Sequence, residues 1–246
     1  MVSVKGMSTF IYQPASRVIP GRPDDSNHWF GGSSSRRGVR PKGCLVDLHL
    51  VFDFDTHDPL FPVKLPNARR LPVYYGFPYN GGAVGYSVVS DEEIVVHYMQ
   101  TKKAEEGFPF EEFPSVFPRI PVRLEELEYE DQKILAFNYF VSQPQSGLVL
   151  APDDKRRLKD LNYPFTQLGG VHVMWQDIPV AECPNTKCPT RSTRPRMDVF
   201  AVIWNKPVPG VFLWDNSQEY SDGCDVQLIC QICRECHAIH VCNRCT

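Results

Sequence analysis

From Val46 to Asp55 apolar and polar side chains alternate, with Val46, Leu48, Leu50, Phe52 and Phe54 on one side and Asp47, His49, Asp53 and Asp55 on the other. A period of two predicts a strand with one solvated face. Leu71 to Tyr75, Tyr86 to Val89 and Ile94 to Tyr98 read as further short strands, and Asn80-Gly81-Gly82 supplies a hairpin turn between the first two. Together they predict an antiparallel meander. Met197 to Trp204 is apolar on both faces and reads as a central strand, whereas Val226, Leu228, Cys230 and Ile232 alternate with Gln227 and Gln231 as a half-solvated one. Helical spacing is scarce. Between Ala104 and Glu130 the chain is acidic and proline-rich, and Leu124, Leu127 and Ile134 offer at most a short helix or a connecting excursion. Pro152 followed by DDKRRLKDL predicts one short amphipathic helix, with Asp153 and Asp154 at the positive end of its dipole.

The 22 prolines and 16 glycines spread along 246 residues agree with many turns between short strands. The expected fold is α+β and predominantly antiparallel β. Residues 1–26 hold no sustained period and read as an N-terminal arm that adds little to the core; residues 27–150 form a first β unit and 151–246 a second. The units run in parallel order. WFGG at 29–32 precedes a loop, Cys44, the strand ending in VFDFD and then LPVYYGF; QLGG at 167–170 precedes a loop, Cys183 and Cys188, the strand MDVFAVIW and then VQLICQIC. This order fits two duplicated β units, and it fits equally the ordinary recurrence of glycine pairs and strands in β proteins.

Twenty-six basic residues against 29 acidic ones leave a net charge of −3, so no overall field draws the chain to nucleic acid or anionic lipid. No apolar run approaches the roughly 20 residues of a membrane span, and no signal-peptide pattern opens the chain. Neither a nucleic acid nor a membrane is an expected partner, and the expected location is cytoplasmic.

Cysteine changes the picture. Eight of the nine cysteines fall between Cys183 and Cys245, several in pairs two residues apart, and such clustering without a secretory leader points to metal rather than disulfides. Cys183-x4-Cys188 and, after the 44 residues 189–232, Cys233-x2-Cys236 place two thiol pairs on two loops, as in a zinc ribbon. Zinc is the expected cofactor, because four thiolates satisfy its tetrahedral preference and leave no position open for catalysis. Cys242 and Cys245 could form an additional site or replace one pair, although only five residues, 237–241, separate Cys236 from Cys242. Cys230 reads as a small buried hydrophobe.

LVFDFDTHD is superficially like the D-x-D strand end of haloacid-dehalogenase-like phosphatases. Its alternation with polar residues contradicts the buried parallel strand that such chemistry needs. No nucleophile elbow, phosphate loop, dinucleotide fingerprint or H-E-x-x-H occurs, so no catalytic residue is assigned.

FGG near the start, LPVYY, QLGG-x4-WQ, the Cys183/Cys188 pair, MDVFAVIW and the closing VQLICQICRECHAIHVCNRC resemble the YwqG-like family, a largely bacterial group whose domain has no assigned function. The resemblance spans residues 27–246 and is sharpest from 163 onward. Gln167 stands near the family's histidine, His172 or Val173 replaces its proline, and the first cysteine pair is spaced by four rather than two. It implies metal ligation by the four cysteines and a binding role for Trp175 and Gln176, with Trp29 as a further aromatic candidate. Distant similarity to the programmed-cell-death-two family, whose members escort a small-subunit ribosomal protein, implies a protein partner. The expected function is a zinc-stabilised interaction module, an immunity or inhibitor protein that binds a toxin. The alternatives are a chaperone-like escort, or a hydrolase or nucleic-acid enzyme with a site the sequence does not connect.

Overall fold

The computed structural model describes residues 15–79, 82–103, 116–141, 149–161, 164–170, 172, 182–189, 191, 197–214 and 226–245. Its strands are β1 (Ser16–Pro20), β2 (His28–Phe30), β3 (His49–Asp55), β4 (Arg70–Tyr75), β5 (Val84–Ser90), β6 (Glu93–Met99), β7 (Ile120–Glu126), β8 (Gln167–Leu168), β9 (Met197–Trp204), β10 (Val226–Cys233) and β11 (Ile239–Cys245). Among the described residues two helices, α1 (Tyr129–Val141) and α2 (Pro152–Asp160), lie between β7 and β8. The strands form one sheet in the order β4-β3-β2-β7-β1-β8-β9-β10-β11-β5-β6, and every ladder between them is antiparallel. The fold is therefore mostly antiparallel β, as its alternating apolar positions predict. No helix among the described residues is long and apolar enough to cross a membrane.

The expected N-terminal arm is corrected at its centre. Ser16–Pro20 is β1, paired with β7 on one side and β8 on the other, with Val18 in the core. A five-residue strand flanked by prolines carries little periodic signal of its own, and its two neighbours define it. Likewise the acidic, proline-rich stretch ends not in an excursion but in β7 followed by α1. β1 pairs with β8 and β5 pairs with β11, so the sheet runs unbroken across the expected division at 150/151.

Across β1 and β7 the registers of the two halves correspond. Val18 lies opposite Leu124 while Pro20 lies opposite Val122, and Ser16 faces Leu168 as Ile120 faces Phe30. The Gly31 N–H donates to the Val51 carbonyl beside the pair Phe30–Phe52, and the Gly169 N–H donates to the Phe200 carbonyl beside the pair Leu168–Ala201, each at 2.9 Å. Both glycines hold a left-handed φ, 63° and 64°. A Cβ on Gly31 would lie 2.4 Å from the Pro118 carbonyl oxygen, so the turn admits no side chain. β3 and β9 occupy equivalent middle positions in the meanders β2-β3-β4 and β8-β9-β10.

Two strands expected to have a solvated face lack one. On β3 His49 and Asp55 are buried, and on β10 Gln227 and Gln231 are buried. Asp55 accepts two hydrogen bonds from Arg69, and Asp53 lies between Arg36 and Arg70, so these polar positions face partners rather than water. Burial works against the Asp55 charge, but the Arg69 bonds and the His57 N–H outweigh it and bring its pKa down to about 2.

The predicted hairpin between β4 and β5 is also corrected, since the two strands share no ladder. The sheet curls instead, and the edge of β4 is closed by side chains from the β5 hairpin. Tyr86 Oη donates to the Pro72 carbonyl at 2.6 Å and accepts from the Tyr74 N–H at 3.1 Å, while Asp91 accepts from the Arg70 N–H at 2.7 Å. At the opposite edge Arg37 exchanges backbone hydrogen bonds with Glu92 and Ile94. Open edges invite pairing between chains, and both are blunted here. Tyr86→Phe should cost about 2 to 4 kcal/mol in urea unfolding, because it strands a buried donor and a buried acceptor together. A loss below about 0.5 kcal/mol, the range of a neutral surface change, would mean that this hydroxyl does not hold the curl.

Candidate metal centre

Cys183 and Cys188 bracket a tight loop. The Cys188 N–H donates to the Asn185 carbonyl at 3.0 Å, the Arg191 N–H donates to the Cys188 carbonyl at 3.2 Å, and the Asn185 side chain accepts from the Lys187 N–H at 3.0 Å. Cys233 ends β10 and Cys236 lies in the turn to β11. That turn closes through the Cys233 N–H to the Ala238 carbonyl at 2.8 Å and the His237 N–H to the Cys233 carbonyl at 3.0 Å. His237 takes φ 56°, the only positive value at a non-glycine among the described residues. Histidine tolerates this conformation better than a β-branched residue would, and the turn needs it to swing the chain back into β11.

The two turns bring four sulfurs together. The Sγ atoms of Cys183, Cys188, Cys233 and Cys236 all lie within 4.8 Å of one another, with Cys183 to Cys236 at 3.4 Å and Cys188 to Cys233 at 3.8 Å. A tetrahedral shell with metal–sulfur bonds of about 2.3 Å sets its sulfurs about 3.8 Å apart. The cluster could therefore hold a metal ion. Cys183, Cys188 and Cys233 are buried, and Met197 and Ala238 pack around them. Burial pushes the Cys183 thiol up, the neighbouring Cys236 thiol adds to this, and the Asn185 N–H bonded to the sulfur opposes it. The Cys236 thiol is raised by burial and eased by the Ala238 N–H. Such N–H donors suit a sulfur that carries charge, and a bound cation would hold these thiols deprotonated.

Neighbouring elements fix both turns. Arg234 forms a two-pronged pair with Asp198 of β9, one arm at 2.8 Å. Pro184 packs on Gly85 of β5, where a Cβ would lie 2.3 Å from the Pro184 Cβ. Glycine at 85 is what lets the loop seat on the sheet.

The remaining cysteines stand apart. Cys242 sits on β11 in a separate apolar cluster with Ala83, Val202 and Ile229, and Cys230 is buried in the main core as its apolar surroundings predict. Cys44 is buried with its Sγ 3.6 Å from Met99 Sδ. Cys224 and the side chain of Cys245 lie outside the described residues, as do Trp175 and Gln176. Trp29 is on β2, where the Arg119 guanidinium covers its ring at 4.2 Å from the centroid. It borders a polar cleft of about 190 Å³ with Arg36 and Asp53, remote from the cysteines in the sheet order. Sequence reading passed over Gly85 and Asp198, whose roles depend on contacts between distant segments. Comparison with known protein families, with curated proteins and with solved structures returned no match.

Proposed function

We propose that this protein is a zinc-stabilised interaction module that holds a protein partner, with the metal confined to a structural role. The zinc assignment is carried by the closed set of four sulfur donors. A d10 ion needs no other ligand in such a shell and gains nothing from redox chemistry there, and no donor position is left for a reacting water. The corresponding registers of the two halves support an origin by duplication in which only the second copy acquired the thiols. Zinc–thiolate ligation also suits a reducing compartment, in keeping with the cytoplasm.

The interaction half of the proposal is supported by the long cleft beside β1, of about 720 Å³, where Phe165, Trp204, Pro207 and Phe212 line an apolar wall between Arg17 and Lys206. Aromatic and proline side chains in a groove whose charged groups, Arg17 with its partner Glu125, Asp160 and Lys206, offer both signs suit an extended apolar peptide segment. Following the YwqG-like resemblance, we take the partner to be a toxin held by its immunity protein.

The zinc-loaded chain, tagged and purified from its native cells, should bring down one partner in stoichiometric amount. Phe212 is 37% exposed, so Phe212→Asp should leave the melting temperature in place while weakening the complex about tenfold or more. Recovery of no stoichiometric partner, or a complex indifferent to Phe212→Asp, overturns the reading.

A further inference from the structure

A second cavity, of about 420 Å³, lies directly against the metal centre and shares Cys183 as a wall residue. Its floor is the sheet face on which β11 presents His240 and Arg244 and β6 presents His97 and Tyr98. Its wall is the metal loop, through Glu182 and Arg191.

Two irregularities of the fold build this space. In the β5–β6 ladder Gly85 faces Tyr98 and Tyr86 faces Val96, which leaves His97 as the extra residue of a bulge. An unbroken strand would send His97 and Tyr98 to opposite faces, whereas the bulge lets both line the same cavity. Ser87 Oγ lies 2.8 Å from His97 Nε2 and fixes that ring. The second irregularity is Gly85 itself, which admits the metal loop as the opposing wall. A cavity that requires a bulge, a glycine and a metal-braced loop is a defined feature of the fold.

Its chemistry is cationic. Two guanidinium groups face one carboxylate, and among the described residues neither is tightly held. Arg191 Nη2 is 3.7 Å from Glu182, and Arg244 Nη1 makes a marginal 3.5 Å contact with the Asn243 carbonyl. The rings of Tyr98 and His240 lie 6.2 Å apart and offer flat surfaces beside them. A lone carboxylate has only two oxygens for these donors, whereas a phosphate monoester presents three to the two planar forks and carries more charge.

We propose that this cavity binds a small phosphate monoester, with the phosphoryl group between Arg191 and Arg244 and the organic group against Tyr98 and His240. The proposal is independent of the partner assigned above.

Phenyl phosphate titrated calorimetrically into the metal-loaded full chain should bind once per chain, and inorganic phosphate more weakly. Arg244→Gln and Arg191→Gln should each weaken phenyl phosphate about tenfold or more, the loss of a charge-assisted hydrogen bond, with metal content and melting temperature unchanged. Arg156, on α2 and 73% exposed, lies outside the cavity and serves as control. Absence of binding overturns the proposal, as do equal losses in Arg156→Gln, affinity indifferent to both cavity variants, or benzoate binding as tightly as phenyl phosphate.

Discussion

Cys188→Ser should strip the metal and leave a chain that is insoluble or rapidly cut by protease, whereas Cys242→Ser should keep its metal. Cys188 lies 3.8 Å from Cys233, so a metal held by the four sulfurs would join the 183–191 loop to the end of β10 across a long stretch of chain. A structural zinc bound by thiolates contributes on the order of 10 kcal/mol, comparable with the whole stability of an ordinary domain. Losing one of four ligands also leaves Cys183 and Cys236 in surroundings whose burial favours the neutral thiol. Cys242 belongs to the packing of β11 against Ala83, Val202 and Ile229, and its serine variant should lose only packing, about 1 kcal/mol or somewhat more. Cys245→Ser should likewise retain the metal if the four clustered sulfurs are the ligands. Elemental analysis per chain with limited proteolysis decides the matter. A Cys188→Ser protein with full metal content, or a Cys242→Ser protein without any, would move the centre to the C-terminal hairpin.

The cluster of four cysteines was legible in the sequence because thiol chemistry is tied to short spacings: C-x4-C and C-x2-C each span a single turn, whatever surrounds them. β9 and α2 were legible for a similar reason, since a doubly apolar run and a proline followed by two aspartates are local signals. The misread positions share a different cause. Asp55 and Gln231 are polar in an alternating strand, and alternation alone does not distinguish a face that meets water from a face that meets arginine or another segment. The sequence likewise shows a turn after LPVYY but not that the sheet curls there, because a tyrosine hydroxyl from β5 takes the place of a ladder. His97 gave no sign of its bulge, which exists only as a mismatch between two paired strands.

Deleting residues 1–25 should abolish cooperative folding, the reverse of what an N-terminal arm implies. β1 is the strand that joins the block β4-β3-β2-β7 to the block beginning with β8, and without it those blocks share no ladder at that point of the sheet. Its removal takes the β1 partner from Thr166, whose carbonyl accepts the Val18 N–H at 2.9 Å, and from Leu168, which pairs with Ser16; both are buried, at about 1 to 3 kcal/mol for each group left unsatisfied. Ala15 goes with it, and Ala15 accepts the Leu127 N–H at 2.9 Å and packs with Leu127, Leu135, Leu161 and Phe165 beneath the helices. Ser16 Oγ to the Leu60 carbonyl and Arg17 to Glu125 are lost as well, at 3.0 Å and 2.6 Å. These costs together are comparable with the roughly 5 to 15 kcal/mol that holds a domain folded. A milder test of the same strand is Val18→Asp, which puts a charge at a position 6% exposed and should cost several kcal/mol, on the order of 3 to 5. Calorimetric melting and amide dispersion in NMR spectra read both variants. A deletion variant that melts within a few degrees of the parent chain would show that β7 and β8 can meet directly, and that the centre of this sheet does not depend on β1.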